Sequence, residues 1–89
     1  MKIEFDPVKR EWTVRTRGLD FADAGRIFDE YRLTVEDQRR DYGENRFLTL
    51  GVLNDEVVAC VWTERGDSRR IINLRRARKN ERKVYKLSR

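Results

Sequence analysis

Residues 46–74 read RFLTLGVLNDEVVACVWTERGDSRRIINL, three β-rich runs separated by two short polar breaks, and they decide the fold class. Arg46 to Val52 alternates, with Phe47, Thr49 and Leu50 in a run of strand-forming residues. Asn54-Asp55 marks a tight turn. Glu56 to Thr63 is the most apolar segment of the chain, which places it centrally in a sheet with both faces at least partly covered. Glu64-Arg65-Gly66-Asp67 supplies the second turn, and Ser68 to Leu74 the last strand. Simple alternation there puts Arg70, Ile72 and Leu74 on one face and Arg69, Ile71 and Asn73 on the other.

Working outward from this meander, Leu33 to Glu36 reads as a weak strand and Asp37 to Gly43 as a polar connection. Lys2 to Phe5 is a short alternating strand. Asp6-Pro7 then starts a helix, with Asp at the N-cap and Pro at the first helical position; Val8 and Trp12 share one face, and Gly18 ends it. Asp20 can cap a second helix in which Phe21, Ala24, Phe28 and Tyr31 recur at helical spacing to about Glu30. Beyond Leu74 the pattern turns helical, from about Arg75 to Leu87, with only Ala77, Val84, Tyr85 and Leu87 apolar, so this helix docks weakly by burial. The expected fold is α+β: two N-terminal helices packed on an antiparallel β-meander of about four strands, a short N-terminal strand, and a basic C-terminal helix. Residues 1–89 form one domain, since a chain of this length buries only ~60% of its unfolded surface.

The net charge of +5 is unevenly spread. Residues 1–64 hold 10 Lys and Arg against 14 Asp and Glu, whereas residues 65–89 hold 11 against 2. A sequence polarised in this way suggests a polyanion-binding face or a contact surface for an acidic partner. The chain has no histidine, which excludes Ser-His-Asp and Cys-His catalysis, and its five glycines are scattered, which excludes a phosphate-binding loop. The single Cys60 lies within an apolar run and reads as a buried thiol; with no histidine beside it, neither a zinc site nor any other cofactor is expected. The longest apolar run, Val57 to Trp62, is far short of the roughly 18 residues a membrane helix needs, and no apolar signal region opens the sequence, so a cytoplasmic protein without membrane contact is expected.

Chemistry can then come from arginines near strand ends: Arg46, Arg65, Arg70 and Arg75. Presented on one face of the sheet, they would form a concave anion site. Arginine cannot serve as a base at neutral pH, but its planar fork matches a phosphate and stabilises charge during phosphoryl transfer. RNA suits such a site because its own 2′-hydroxyl is the nucleophile; the protein need only orient it, accept a proton and neutralise the phosphorane. Glu44 is the candidate acceptor and Lys9 the competitor. Against this stand the ordinary readings, in which Glu44 simply pairs with Arg46 or Arg70, or the basic tail serves a non-catalytic nucleic-acid-binding module.

Particular strings add to this reading. Phe5-Asp6-Pro7-x-Lys9, Gly18-Leu19-Asp20-Phe21-x-x-Ala24 with Phe28-Asp29, Asp41-Tyr42-Gly43-Glu44-x-Arg46, Val61-Trp62-Thr63-x-Arg65-Gly66, and Arg70-Ile71-Ile72-x-x-Arg75-x-Ala77-x-x-x-Glu81-Arg82-x-x-Tyr85 together resemble the BrnT toxins of bacterial type II toxin–antitoxin pairs. The resemblance implies a RelE-like ribonuclease fold and RNA cleavage that arrests translation. It also implies a cognate BrnA-like antitoxin with a ribbon-helix-helix domain, a toxin–antitoxin hetero-oligomer, and operator DNA contacted only through that complex. Carried over by position, Lys9, Glu44, Arg65 and Arg70 are the expected catalytic residues. Arg17, Arg46, Arg75 and Arg78 are the expected RNA contacts. The family commonly has Lys-His-Gly where this chain has Thr16-Arg17-Gly18, so an imidazole role is lost and Arg17 is left to bind phosphate.

Overall fold

In the computed structural model, residues 2–37 and 43–89 are described. Asp41 and Tyr42 of the family string, and most of the polar connection between residues 37 and 43, lie outside them. The elements run β1 (Lys2–Phe5), α1 (Pro7–Arg17), a 3₁₀ helix (Phe21–Asp29), β2 (Leu33–Asp37), β3 (Arg46–Leu53), β4 (Glu56–Arg65), β5 (Ser68–Arg76) and α2 (Lys79–Ser88). The five strands form one sheet in the order β1-β5-β4-β3-β2. β2 to β5 form the expected antiparallel meander, and β1 adds a parallel pair at the β5 edge, Lys2 opposite Ser68 through Phe5 opposite Ile71. The β3–β4 turn works because Asn54 and Asp55 both take left-handed backbone angles, φ 52° and 65°. Those are the angles a two-residue turn needs to match the twist of its strands.

The two faces of the sheet are covered unequally. One packs Leu53, Val58, Cys60, Trp62, Ile71 and Leu74 against Leu19, Phe21, Ala24 and Ile27 of the N-terminal half. The buried residues of the 3₁₀ helix, Phe21, Ala24 and Ile27, recur every third position, the period of that helix, rather than along the 3.6-residue stripe that included Phe28 and Tyr31. Gly51 in β3 allows this close approach: a Cβ there would lie 2.5 Å from Ile27 Cγ2. The other face carries α2 over Leu50 and Ala59, through Ala77 and the buried Tyr85, whose hydroxyl donates to the Tyr31 carbonyl at 3.0 Å.

Two details of the strand and helix reading change. In β5, Trp62 pairs with Ile71 but Val61 pairs with Asn73, so Ile72 is the extra residue of a β-bulge. Ile71 and Leu74 therefore face the same core, each at most 1% exposed, while Ile72 is half-buried. Second, β5 continues to Arg76 because β4 still offers ladder partners, with Ala59 opposite Arg75 and Val58 opposite Arg76; α2 starts only at Lys79. On α1 the face shared by Val8 and Trp12 is exposed, at 75% and 53%, and Thr13 is the buried residue of the helix. Among the described residues no helix is long and apolar enough to cross a membrane.

Candidate functional site

α2 packs over Leu50 and Ala59. Further along the same face the ladder lines up one residue from each strand, with Thr63 buried at its centre: Asp37 opposite Arg46, Arg46 opposite Thr63, Thr63 opposite Arg70, and Arg70 opposite Glu4. Period-2 alternation puts this row on the α2 side, since Arg46 alternates with Leu48 and Leu50, and Thr63 with Val61 and Ala59. Arg65, two residues beyond Thr63, falls on the same side. Toward α2 the row opens into a groove lined by residues that include Val35, Asp37, Leu48, Asn73, Arg75 and Arg78. Of the arginines expected from the sequence, Arg46, Arg65 and Arg70 thus share this face with Arg75, and Arg75 and Arg78 line the depression itself.

Carboxylates hold these cations in place. Arg70 Nη1 donates to Glu4 Oε1 at 3.2 Å, and Arg65 Nη1 lies 3.7 Å from the same oxygen. Glu44 Oε2 is 3.9 Å from Arg46 Nε, and Glu44 is exposed. Arg75 makes a bidentate pair with Glu81, at 2.7 and 3.0 Å, so any phosphate reaching Arg75 shares it with that carboxylate. Hydrogen bonding from Arg75 pushes the Glu81 carboxyl down to about 2, and Glu81 also accepts from the Arg78 backbone at 2.8 Å, capping α2. Burial pushes the Cys60 thiol up to about 12, which leaves it protonated and inert at neutral pH.

Lys9 and Arg17 stand apart from this row, on α1, which lies along the part of the β5 edge that β1 leaves open. Arg17 Nη1 donates to Asn73 Oδ1 and to the Leu74 carbonyl, both at 2.9 Å, and its guanidinium lies 5.0 Å from the Trp12 ring centroid. Lys9 lines a separate recess with Trp12, Thr13, Phe21, Ile72 and Asn73. Asn73 belongs to both depressions and joins them.

Four residues of this surface escaped the sequence reading: Glu4, Thr63, Trp12 and Asn73. Glu4 carried a weak signal, a carboxylate in an alternating N-terminal strand, but its partners lie more than sixty positions away. Among the described residues no group of three or more histidines, cysteines or carboxylates could hold a metal ion.

A search of curated proteins finds no match. A family model described as the ribonuclease toxin BrnT of type II toxin–antitoxin systems matches residues 5–81. The matched span runs from the end of β1 to the carboxylate that caps α2, taking in every cation of the groove, and on that match the chain belongs to the BrnT family of type II ribonuclease toxins.

Proposed function

We propose that this chain is a metal-independent endoribonuclease of RelE-like architecture that cleaves RNA through its own 2′-hydroxyl and thereby arrests translation. The row Arg46–Thr63–Arg70–Glu4, with Arg65 beside it, is the observation that carries this reading. Arg65 and Arg70 hold the scissile phosphate, and their fixed donors neutralise charge on the phosphorane as it forms. Arg46 and Arg78 take flanking phosphates, and Arg75 positions α2 at the groove wall, its guanidinium shared between Glu81 and any phosphate that reaches it.

Glu44 accepts the 2′-hydroxyl proton. It is exposed beside Arg46, whereas the Glu4 oxygen nearest the row is already shared by two arginines. Lys9 contributes positive charge toward the RNA rather than taking the proton, because it lines the recess beside α1 and stands apart from the row. Arg17 extends the same positive edge. The protein partner follows from the family; we assign it to a BrnA-like ribbon-helix-helix antitoxin that covers the groove in a cytoplasmic hetero-oligomer and brings the complex to operator DNA.

The test uses protein purified free of antitoxin and incubated with RNA in EDTA. Cleavage leaving 2′,3′-cyclic phosphate ends, together with growth arrest on expression of the chain alone, is the expected result. RNA bound normally but never cut would instead identify a non-catalytic binding module, a reading favoured by the exposed basic residues Lys79, Arg82, Lys83 and Lys86 of α2.

A further inference from the structure

We infer that the recess between α1 and the edge of β5 is a nucleobase subsite, where one unpaired base of the RNA stacks on Trp12 and accepts a hydrogen bond from the Asn73 amide. The inference rests on the ribonuclease reading above and deepens it, because it adds a residue that grips a base to residues that grip phosphate.

Trp12 is the starting point. It is 53% exposed, and no core packing accounts for an indole at that position of α1. It borders a recess of about 220 Å³ whose lining combines ring and aliphatic surface from Phe21 and Ile72 with the polar Thr13 and Asn73. That is smaller than the roughly 300–1,000 Å³ clefts that enclose whole small molecules, and it suits one ring system of a longer ligand. Cations flank it: Lys9 lines it, and Arg17 sits over Trp12. No carboxylate is among its lining residues.

Asn73 sets the hydrogen-bonding sense. A guanidinium only donates, so the side-chain atom that Arg17 contacts must be the Asn73 oxygen, and the amide nitrogen is the end left to donate to a base. Asn73 also lines the arginine groove, so a strand with its phosphate in the groove can place a neighbouring base in the recess without leaving the surface. Base–aromatic stacking needs an unpaired base and tolerates any base, whereas a donor at Asn73 favours bases that present an acceptor at that edge.

The experiment is a titration with a single-stranded RNA carrying 2′-O-methyl riboses, which binds but cannot be cut, monitored by tryptophan emission. Trp62 is only 6% exposed, so quenching reports on Trp12. Wild-type emission should be quenched. Trp12→Phe should lose the quench yet bind nearly as well. Trp12→Ala should melt with wild type, bind roughly 5- to 150-fold more weakly, and cut unmodified RNA with a raised KM and little change in kcat. If Trp12→Ala binds as wild type while Arg70→Ala binds more weakly, the subsite is wrong and the groove reading stands. If wild-type protein neither binds nor cuts RNA, both fall. If Trp12→Ala loses only capture of the antitoxin, the recess belongs to the protein partner and the inference is overturned.

Discussion

Ile72, the extra residue of the β5 bulge, decides which isoleucine holds the core and which meets solvent and ligand. Alternation along β5 was readable from the sequence, but a bulge is a property of the pair, fixed by how β4 presents Val61 and Trp62, and no pattern within β5 alone reveals it. The consequence is measurable by urea denaturation. Ile71→Ala should cost about 2–5 kcal/mol, as for a fully buried aliphatic side chain, and Ile72→Ala clearly less. Arg70 gives the complementary expectation. Its ion pair with Glu4 is partly exposed and worth at most about 1 kcal/mol, so Arg70→Ala should leave the melt almost unchanged. Single-turnover cleavage should nevertheless fall on the order of 10²-fold or more, the usual effect of removing one donor from developing transition-state charge. Equal losses of stability and activity would show Arg70 to be structural.

Among the elements, α2 is attached by few groups, and its N-terminal attachment is the one that responds to pH. The sequence announced a basic helix and its sparse apolar positions, yet misplaced its start, because Arg75 and Arg76 are held in the ladder by β4 while helix-forming residues continue straight through them. Glu81 is the hinge of that junction, bound to Arg75 on one side and to the Arg78 backbone on the other. Its carboxyl lies at about 2 in the folded chain against 4.5 ordinarily, so the folded state prefers it ionised. That stabilisation is fully present above about pH 4.5 and is lost as the pH falls toward 2, a swing of up to about 3 kcal/mol. Unfolding followed between pH 5 and pH 2 should show this loss, and Glu81→Gln should be less stable at pH 7 and flatter across that window. An identical pH profile in the variant would assign the acid sensitivity to other carboxylates.

For the molecule as a whole, the distribution of charge becomes a statement about which surface meets RNA. The arginines were legible individually, and so was Glu44 as a partner of Arg46, but Glu4 was not, since it joins them only through the parallel β1–β5 pair, a contact between opposite ends of the chain. These pairings reduce the field of the groove, while the outer side of α2 keeps exposed Lys79, Lys83 and Lys86. The two surfaces should therefore separate in salt dependence. Each phosphate neutralised on a single strand contributes about −0.7 to the slope of log K against log salt, so a groove gripping roughly three phosphates should give a slope near −2. Arg65→Ala should flatten that slope by about one such increment and also slow cleavage. Lys83→Glu, on the far side of α2, should weaken encounter at low salt through the long-range field, converge with wild type as salt rises, and leave single-turnover cleavage at saturating RNA unchanged. A Lys83→Glu protein that loses cleavage as severely as the Arg65 variant would move the RNA off the sheet and onto the helix.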